Sequence, residues 1–368
     1  MKVDDRRVFW IALNLVLAER PDIFRKVIQE FHSVAEAFKA DPGELRRLGV
    51  DEEDARRMTS SLALDQARKE VEFVEKKKYA VLILGDEDYP EYLREIFDPP
   101  FVLYCAGRAD VLSEPAVAIV GARHHTPYGR AVAEKLAFDL ASRGLVVVSG
   151  MARGIDSVAH WGALKGGKTI AVLGSGFGQI YPKENKLLFE RIAEKGAVVS
   201  EYPLGSPPLA YHFPLRNRII SGLALGTVVV EASQRSGSLI SAGFALEQNR
   251  EVMAVPGTVT SELSRGSNWL IQSGAKLVRD WEDVADALPS PFREKLLSQK
   301  EREPELRPNL TPEETRIFDC LKIDSLTHID ELVDETGFSV SELLARLLEW
   351  ELAGWITQHP GKCFQRRI

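Results

Sequence analysis

Cysteine is scarce in this 368-residue chain. The three present, Cys105, Cys320 and Cys363, are far apart and form no CxxC pair, which argues against a disulfide framework or a zinc ribbon and points to a reducing compartment. No apolar run approaches transmembrane length, and the amino end, MKVDDRRVFW, lacks the pattern of a signal peptide. These absences lead us to expect a soluble, cytoplasmic protein with no membrane partner. Internal repeats and low-complexity tracts are missing as well. So is an overall positive charge: the formal net charge is −7, which weighs against a general affinity for nucleic acid. The charge is unevenly spread, however. Residues 116–220 carry 13 Lys and Arg against seven Asp and Glu, and a local basic surface is compatible with a polyanion because fields are screened beyond roughly 8 Å at physiological salt. From charge alone, an evenly mixed solvated surface fits equally well.

What is present divides the chain by pattern. Residues 1–75 read as short helices: Val8, Ile11, Ala12 and Leu15 recur at helical spacing, and Pro21, Pro42 and Gly49 punctuate the rest. Residues 76–290 alternate β-branched runs with helical patterns. Strands are expected at 116–120, 145–149, 169–173, 197–200, 227–230 and 252–255, with weaker ones at 81–84 and 101–104, and helices at 128–143 and 239–249 among others. Such alternation predicts an α/β domain, a Rossmann-like doubly wound and mostly parallel sheet. Residues 291–309 read as a linker. The last unit, 310–368, opens with TPEE, where Thr311 and Glu314 can form a capping box around Pro312. Three helices and a terminal hairpin then spell a small winged helix.

Two glycine-rich stretches are misleading. GALKGGKT, residues 162–169, matches the phosphate-loop pattern GxxxxGK[ST] letter for letter, but a working loop follows a strand and opens a helix. Here a helix precedes the match and a strand follows, so we read a helix stop and expect no nucleotide there. GSGFG spaces Gly174, Gly176 and Gly178 two apart, so no GxGxxG can be drawn, although its tight turn would let a ligand approach the backbone. More telling is HFPLRNRIISG. Pro214 suits a first helical turn, and Arg216, Asn217 and Arg218 crowd that end with free amides, which together make an anion site. Phe213, expected just outside the helix, stands beside these charges, as single-stranded nucleic acid requires. A plain core role for a lone Phe is the alternative.

The ordered motifs IVGAR, SGMARGID, TIAVLGSG, IYPKEN, SEYPLG, FPLRNRIISGL, VVVEASQRSGSLISA, AVPG and NWLIQSGAKLV, spread over residues 80–288, resemble those of the DNA-processing protein DprA family, also called Smf. The flanks resemble it too: GELRRLGVDEEDARRM looks like a helix-hairpin-helix or SAM-like module, and many members end in a winged helix. The resemblance implies an extended Rossmann core that binds single-stranded DNA, dimerises and loads the RecA recombinase onto DNA during natural transformation, with no catalytic residues, cofactor or metal. It implies DNA-binding roles for Gly121, Arg123, Gly150, Arg153, Gly174, Lys183, Asn185, Phe213, Arg216, Asn217 and Arg218, and for Ser236, Gly237 and Ser238 of the SGS turn. The family's self-association patch corresponds to Asn268, Ile271 and Leu277. On this reading phosphates sit on the amides after Gly121, Gly150 and Gly237, held by Arg123, Lys183 and Arg216, while bases stack on Phe213.

The chain departs from the family pattern at Gln179, where many members are acidic, at Ala210, where some carry lysine, and at His124 and His125, where small polar residues are usual. The two histidines have no carboxylate or cysteine at ligand spacing and read as plain loop residues. Two other readings are open. Asp156, Glu201 and Glu231 stand where a Rossmann-type nucleotide hydrolase would carry catalytic carboxylates, although PGTVTSEL lacks the paired glycines of the PGGxGTxxE loop, and Glu231 is expected to pair with Arg216 or Arg218. The winged helix could instead be the DNA reader, but Glu342, Glu349 and Glu351 against Arg346 give its recognition helix the wrong sign.

Overall fold

The computed structural model describes residues 5–298, 310–322, 326–352 and 355–366. They fall into two compact units, Met1–Arg302 and Glu303–Ile368. The first begins with six helices, α1 (Asp5–Leu17), α2 (Pro21–Glu30), α3 (Val34–Ala37), α4 (Pro42–Arg47), α5 (Glu52–Thr59) and α6 (Leu62–Lys77). Their apolar faces join one cluster with Val102 and Tyr104 of the sheet and Leu188 and Ile192 behind it. Helix α1 buries Val8, Ile11 and Ala12, as its spacing predicts, leaves Leu15 half-buried, and also buries Leu13, Val16 and Leu17, because it is enclosed by other helices and the sheet rather than lying on a surface. Asp41 and Asp51 cap α4 and α5, and Arg20 holds the turn between them through the Gly49 carbonyl and the Asp51 carboxylate.

The sheet follows: β1 (Ala80–Ile83), α7 (Glu91–Arg94), β2 (Val102–Gly107), β3 (Ala116–Gly121), α8 (Pro127–Ser142), β4 (Val146–Ser149), α9 (Ile155–Gly166), β5 (Thr169–Val172), α10 (Lys186–Lys195), β6 (Ala197–Ser200), α11 (His212–Gly222), β7 (Gly226–Val230), α12 (Gly237–Glu247), β8 (Glu251–Ala254), α13 (Arg265–Gln272), β9 (Lys276–Leu277), α14 (Trp281–Ala287) and α15 (Ser290–Ser298). Nine strands pair in the order β1-β2-β6-β5-β4-β3-β7-β8-β9. From β6 to β9 every pairing is parallel, while β1 and β2 extend one edge antiparallel. Along β3, Ala116, Ala118 and Val120 face the cluster that holds α11, α12 and α13, whereas Val117 and Ile119 face the one that holds α8, α9, α14 and α15. Helices on both faces explain why the strands are unbroken apolar runs instead of alternating ones. The sheet is therefore doubly wound, and its order reverses between β3 and β7.

The phosphate-loop lookalike is structural. Helix α9 ends at Gly166 and β5 begins at Thr169, Lys168 pairs with Glu114 at 2.5 Å, and the Thr169 hydroxyl donates to the Val147 carbonyl at 2.6 Å. A Cβ on Gly162 would lie 2.4 Å from the Glu134 carbonyl oxygen, so the glycine lets α9 lie against α8. The linker expectation needs correction: 290–298 form α15, whose Leu296 is buried beside Val284 and Ala285 of α14. Pro291 suits a first helical turn, and the apolar pair Phe292 and Leu296 at i, i+4 supplies a face to bury. Residues 299–309 of that stretch lie outside the described residues.

The second unit comprises α16 (Pro312–Cys320), β10 (Thr327–His328), α17 (Ile329–Thr336), α18 (Val340–Leu352), β11 (Ile356–His359) and β12 (Cys363–Arg366), with the sheet order β10-β12-β11. The Thr311–Glu314 capping box is formed, and Leu332, Leu343, Leu347, Trp350 and Phe364 fill the core. These are the elements of a winged helix.

One buried histidine ties stability to pH. His160 of α9 is enclosed, its Nδ1 2.7 Å from Thr169 Oγ1. Burial, with the Arg216 charge nearby, pushes the ring down to about 3, whereas an unfolded histidine titrates near 6.5. The unfolded chain thus binds the extra proton first on acidification, so the stability that the neutral ring contributes is complete above about pH 6.5 and is lost as pH falls. His160→Gln, measured by urea unfolding between pH 6 and 4, is expected to flatten the dependence of stability on pH by up to about 1.4 kcal/mol per pH unit; an unchanged slope contradicts this.

Candidate functional site

Ligands of open α/β sheets bind where the strand order reverses, outside the carboxyl ends of the strands. Here β3 ends at Gly121 and β7 runs into Glu231. A Cβ on Gly121 would stand 2.0 Å from the Val230 carbonyl oxygen and 2.8 Å from Ile155, so only glycine allows β3, β7 and α9 to converge. Beyond it opens a cavity of about 260 Å³ lined by Gly121, Arg123, Asp156, Phe213, Arg216 and Gly237, among others. Ser236 caps α12 by accepting from the Ser238 N–H at 3.3 Å, Asn217 Nδ2 donates to the Gly237 carbonyl at 3.3 Å, and nothing lies within 4 Å of where a Gly237 Cβ would stand. The open amino end of α12 and its dipole therefore face the cavity.

Phe213 lies in the first turn of α11 rather than ahead of it, because that helix starts at His212. Its half-buried ring rests on the turn after β5, where a Gly174 Cβ would approach Phe213 Cδ1 to 3.0 Å. Arg123 Cζ is 6.0 Å from the ring centroid, and Arg123 is exposed with no ion-pair partner among the described residues. Tyr181 stands on another side, its ring 5.5 Å from that of Phe213 and tilted 55°, with 41% of the residue exposed. Phe213 and Arg123 thus line the cavity, and the Tyr181 ring packs against that of Phe213. Tyr181 was not singled out in the sequence. Its signal was an aromatic in IYPKEN, but only folding brings that turn to α11, 32 positions on. Arg235, beside the SGS turn, is exposed.

The other expected binders divide. Lys183 is exposed and without an ion-pair partner among the described residues. Asn185 is a staple, donating to the Met151 carbonyl and Ser157 Oγ at 2.8 Å, so it fixes the Lys183 turn against the turn after β4. Arg153 is exposed but paired with Glu184 at 2.5 Å. The Gly150 N–H donates to Asp156 at 3.2 Å, and a Gly150 Cβ would meet Arg216 Nη2 at 2.5 Å.

The charges on α11 need two corrections. Arg216 is buried, and its Nη1 donates to the carbonyls of Gly150, at 2.7 Å, and Val172. Burial, partly offset by Asp156, pushes it down to about 10, and burial raises Asp156 although Arg216 works the other way. Arg216 is thus a fixed charge beneath the cavity rather than a mobile clamp. Arg218, two residues on and so about 200° round the helix, points away from the cavity. It is buried in a bidentate pair with Glu201 at 2.7 and 2.6 Å and reaches Asp98 at 3.3 Å. Burial opposes its charge, but these carboxylates outweigh burial and raise its pKa. Glu231 pairs with neither arginine. Its backbone is left-handed, φ 56, and its carboxylate accepts from the Thr126 N–H at 2.9 Å and from Thr126 Oγ1, which anchors the loop after β3. Each of the three carboxylates weighed for catalysis therefore holds part of the fold.

Among the described residues no three or more His, Cys, Asp or Glu are grouped to hold a metal ion, and no helix is long and apolar enough to cross a membrane. At the far sheet edge, Asn268 exchanges two hydrogen bonds with the Gly257 backbone, at 2.9 and 3.1 Å. Ile271 is half-buried, and Leu277 on β9 and Trp269 on α13 are 40% and 55% exposed.

Comparison with known proteins adds to this geometry. Residues 80–289 match the family described as DNA recombination-mediator protein A, and residues 301–362 match the DprA winged helix domain. The chain is 38% identical to Protein Smf of Escherichia coli over 348 residues, covering 90% of this chain and 88% of that one. DNA processing protein A from Streptococcus pneumoniae, solved by X-ray crystallography, superposes with a TM-score of 0.64 at 36% identity, covering 78% of this chain and 99% of that one. DNA processing protein A from Helicobacter pylori superposes with a TM-score of 0.52 at 32% identity over 60% of this chain and 96% of that one, in a structure concerned with that protein's single-stranded DNA binding mode. The glycine-lined switch point, the helical and winged-helix flanks and these matches agree: the chain belongs to the DNA recombination-mediator protein A family, the DprA/Smf family of DNA-processing proteins.

Proposed function

We propose that the chain grips single-stranded DNA along the switch-point edge of its sheet without altering it, acts as a homodimer, and delivers the strand to RecA in natural transformation or a related recombination route. The observation that carries this reading is the grouping of Tyr181 and the unpaired Arg123 around Phe213, which lines the cavity with Arg123. Every base has a face to stack on an aromatic ring, and a cation pairs with the backbone phosphate, so such a site binds single strands without reading sequence. The Helicobacter pylori relative, whose structure concerns single-stranded DNA binding, supports the same assignment. Phosphates are assigned to the open end of α12 at Gly237 and to Arg123 and Lys183. Arg216 contributes its field from below, and Asn185, Asn217 and Gly174 hold the surrounding turns. Arg153 and Arg218, already paired, are left with structural roles.

The flanking units make weaker DNA readers. In the winged helix, Arg346 is bonded to Glu314. In the amino unit, whose Arg46, Arg47, Arg56 and Arg57 could form a small basic face, Arg56 pairs with Glu52 and Arg57 with Asp54, which leaves Arg46 and Arg47 exposed without an ion-pair partner among the described residues. For the homodimer, the exposed Leu277 and Trp269 around β9 offer an apolar edge.

Phe213→Ala is expected to weaken binding of an oligothymidine by about 1 to 3 kcal/mol, the range for one stacked base, in a fluorescence anisotropy titration. Arg123→Ala is expected to lower the slope of log affinity against log salt by about 0.7, one single-strand phosphate contact. Wild-type affinity for both variants at two salt concentrations refutes the site, as does duplex binding as tight as single-strand binding. For the dimer, Leu277→Glu is expected to halve the mass seen by light scattering; a mass that stays dimeric removes β9 from the interface.

A further inference from the structure

The amino-terminal helical unit makes one contact with the binding edge that packing alone does not require. Glu19, just past α1 and half-exposed, reaches the start of α11. Its Oε2 accepts from the Tyr211 hydroxyl at 2.6 Å, and its Oε1 lies 3.5 Å from Nε2 of His212. His212 is fully buried. Its ring stacks on Tyr202 with centroids 3.9 Å apart and 18° between planes, and its Nδ1 lies 3.2 Å from the Gly174 carbonyl. That carbonyl can only accept, so Nδ1 carries the proton. His212 is thus bonded to the glycine turn on which the Phe213 ring rests, while its Nε2 has no hydrogen-bond partner, and Phe213 is the next residue. The unit is tied a second time where Asn14 donates to the Glu201 carbonyl at 3.0 Å, and Glu201 is the partner of Arg218 on the same helix.

We infer that Glu19 is a positioning residue for the nucleic-acid site: by accepting from the Tyr211 hydroxyl it fixes the residue that leads into α11, and so the first turn of that helix and the plane of the Phe213 ring. The helical unit then serves as a brace for the stacking platform rather than as a second DNA reader. This rests on Phe213 being the stacking residue, as proposed above. A ring held in place spares the binding equilibrium the cost of selecting one orientation from several.

The test is a double-mutant cycle in the full-length chain, read as oligothymidine affinity. Glu19→Ala is expected to weaken binding roughly three- to tenfold with its salt slope unchanged, since no phosphate contact is lost. Glu19→Gln, which can still accept from Tyr211, is expected to stay within about twofold of wild type. In a Phe213→Ala background Glu19→Ala is expected to have no further effect. An additive loss in that background, or wild-type affinity for Glu19→Ala beside a weakened Phe213→Ala, overturns the brace while leaving the site standing. Wild-type affinity for Phe213→Ala overturns both. Far-UV circular dichroism melting of each variant ensures that affinity is compared between folded proteins.

Discussion

Two guanidinium groups buried on opposite sides of one helix fix the binding edge. A buried charge is costly unless it is paired and hydrogen-bonded, so Arg216 and Arg218 leave α11 little choice of position. Arg216 must sit where the Gly150 and Val172 carbonyls and Asp156 converge, and Arg218 must reach Glu201 and Asp98. Between them they pin the helix to the tips of β4 and β5 on one side and to β6 and the segment after α7 on the other. Phe213 precedes both on the same rigid element and takes its place from them. The glycines act in the same sense: Gly121 and Gly150 have no side chains because strand ends and the Arg216 guanidinium occupy that space.

The proposed polyanion site is compatible with an acidic protein. Many surface cations are paired with neighbouring carboxylates, and Arg153, Arg56 and Arg57 are examples. Arg123, which lines the cavity, and Lys183 are exposed without an ion-pair partner among the described residues, as are cations elsewhere such as Arg46, Arg47 and Lys76, but at the cavity Arg123 is joined by the open amino end of α12. Because screening confines each field to roughly 8 Å, what matters is which charges lie unpaired within that distance of the ligand, and net charge says little about it.

The fold was largely legible in the sequence. Long β-branched runs gave the central strands, helical spacing gave α8 and α12, and TPEE gave the cap of α16. The two-residue strands β9 and β10 were not legible, since two residues show no period and exist only through their partners. Helix α15 was masked by its polar, proline-bearing surroundings. At the candidate site, HFPLRNR drew attention to α11, but residue type could not say that Arg216 lies buried beneath the cavity and Arg218 lies on the far side.

The sequence by itself determined which family this chain belongs to, where its strands and turns fall and which glycines matter, because those follow from local pattern and spacing along one chain. Tertiary structure alone decided which charges are free and which are spent. It also brought Tyr181 to Phe213, Glu231 to Thr126 and Glu19 to His212. Pairing depends on distances between segments far apart in sequence, and in a dense interior those distances are set by the packing of the whole sheet and its helices.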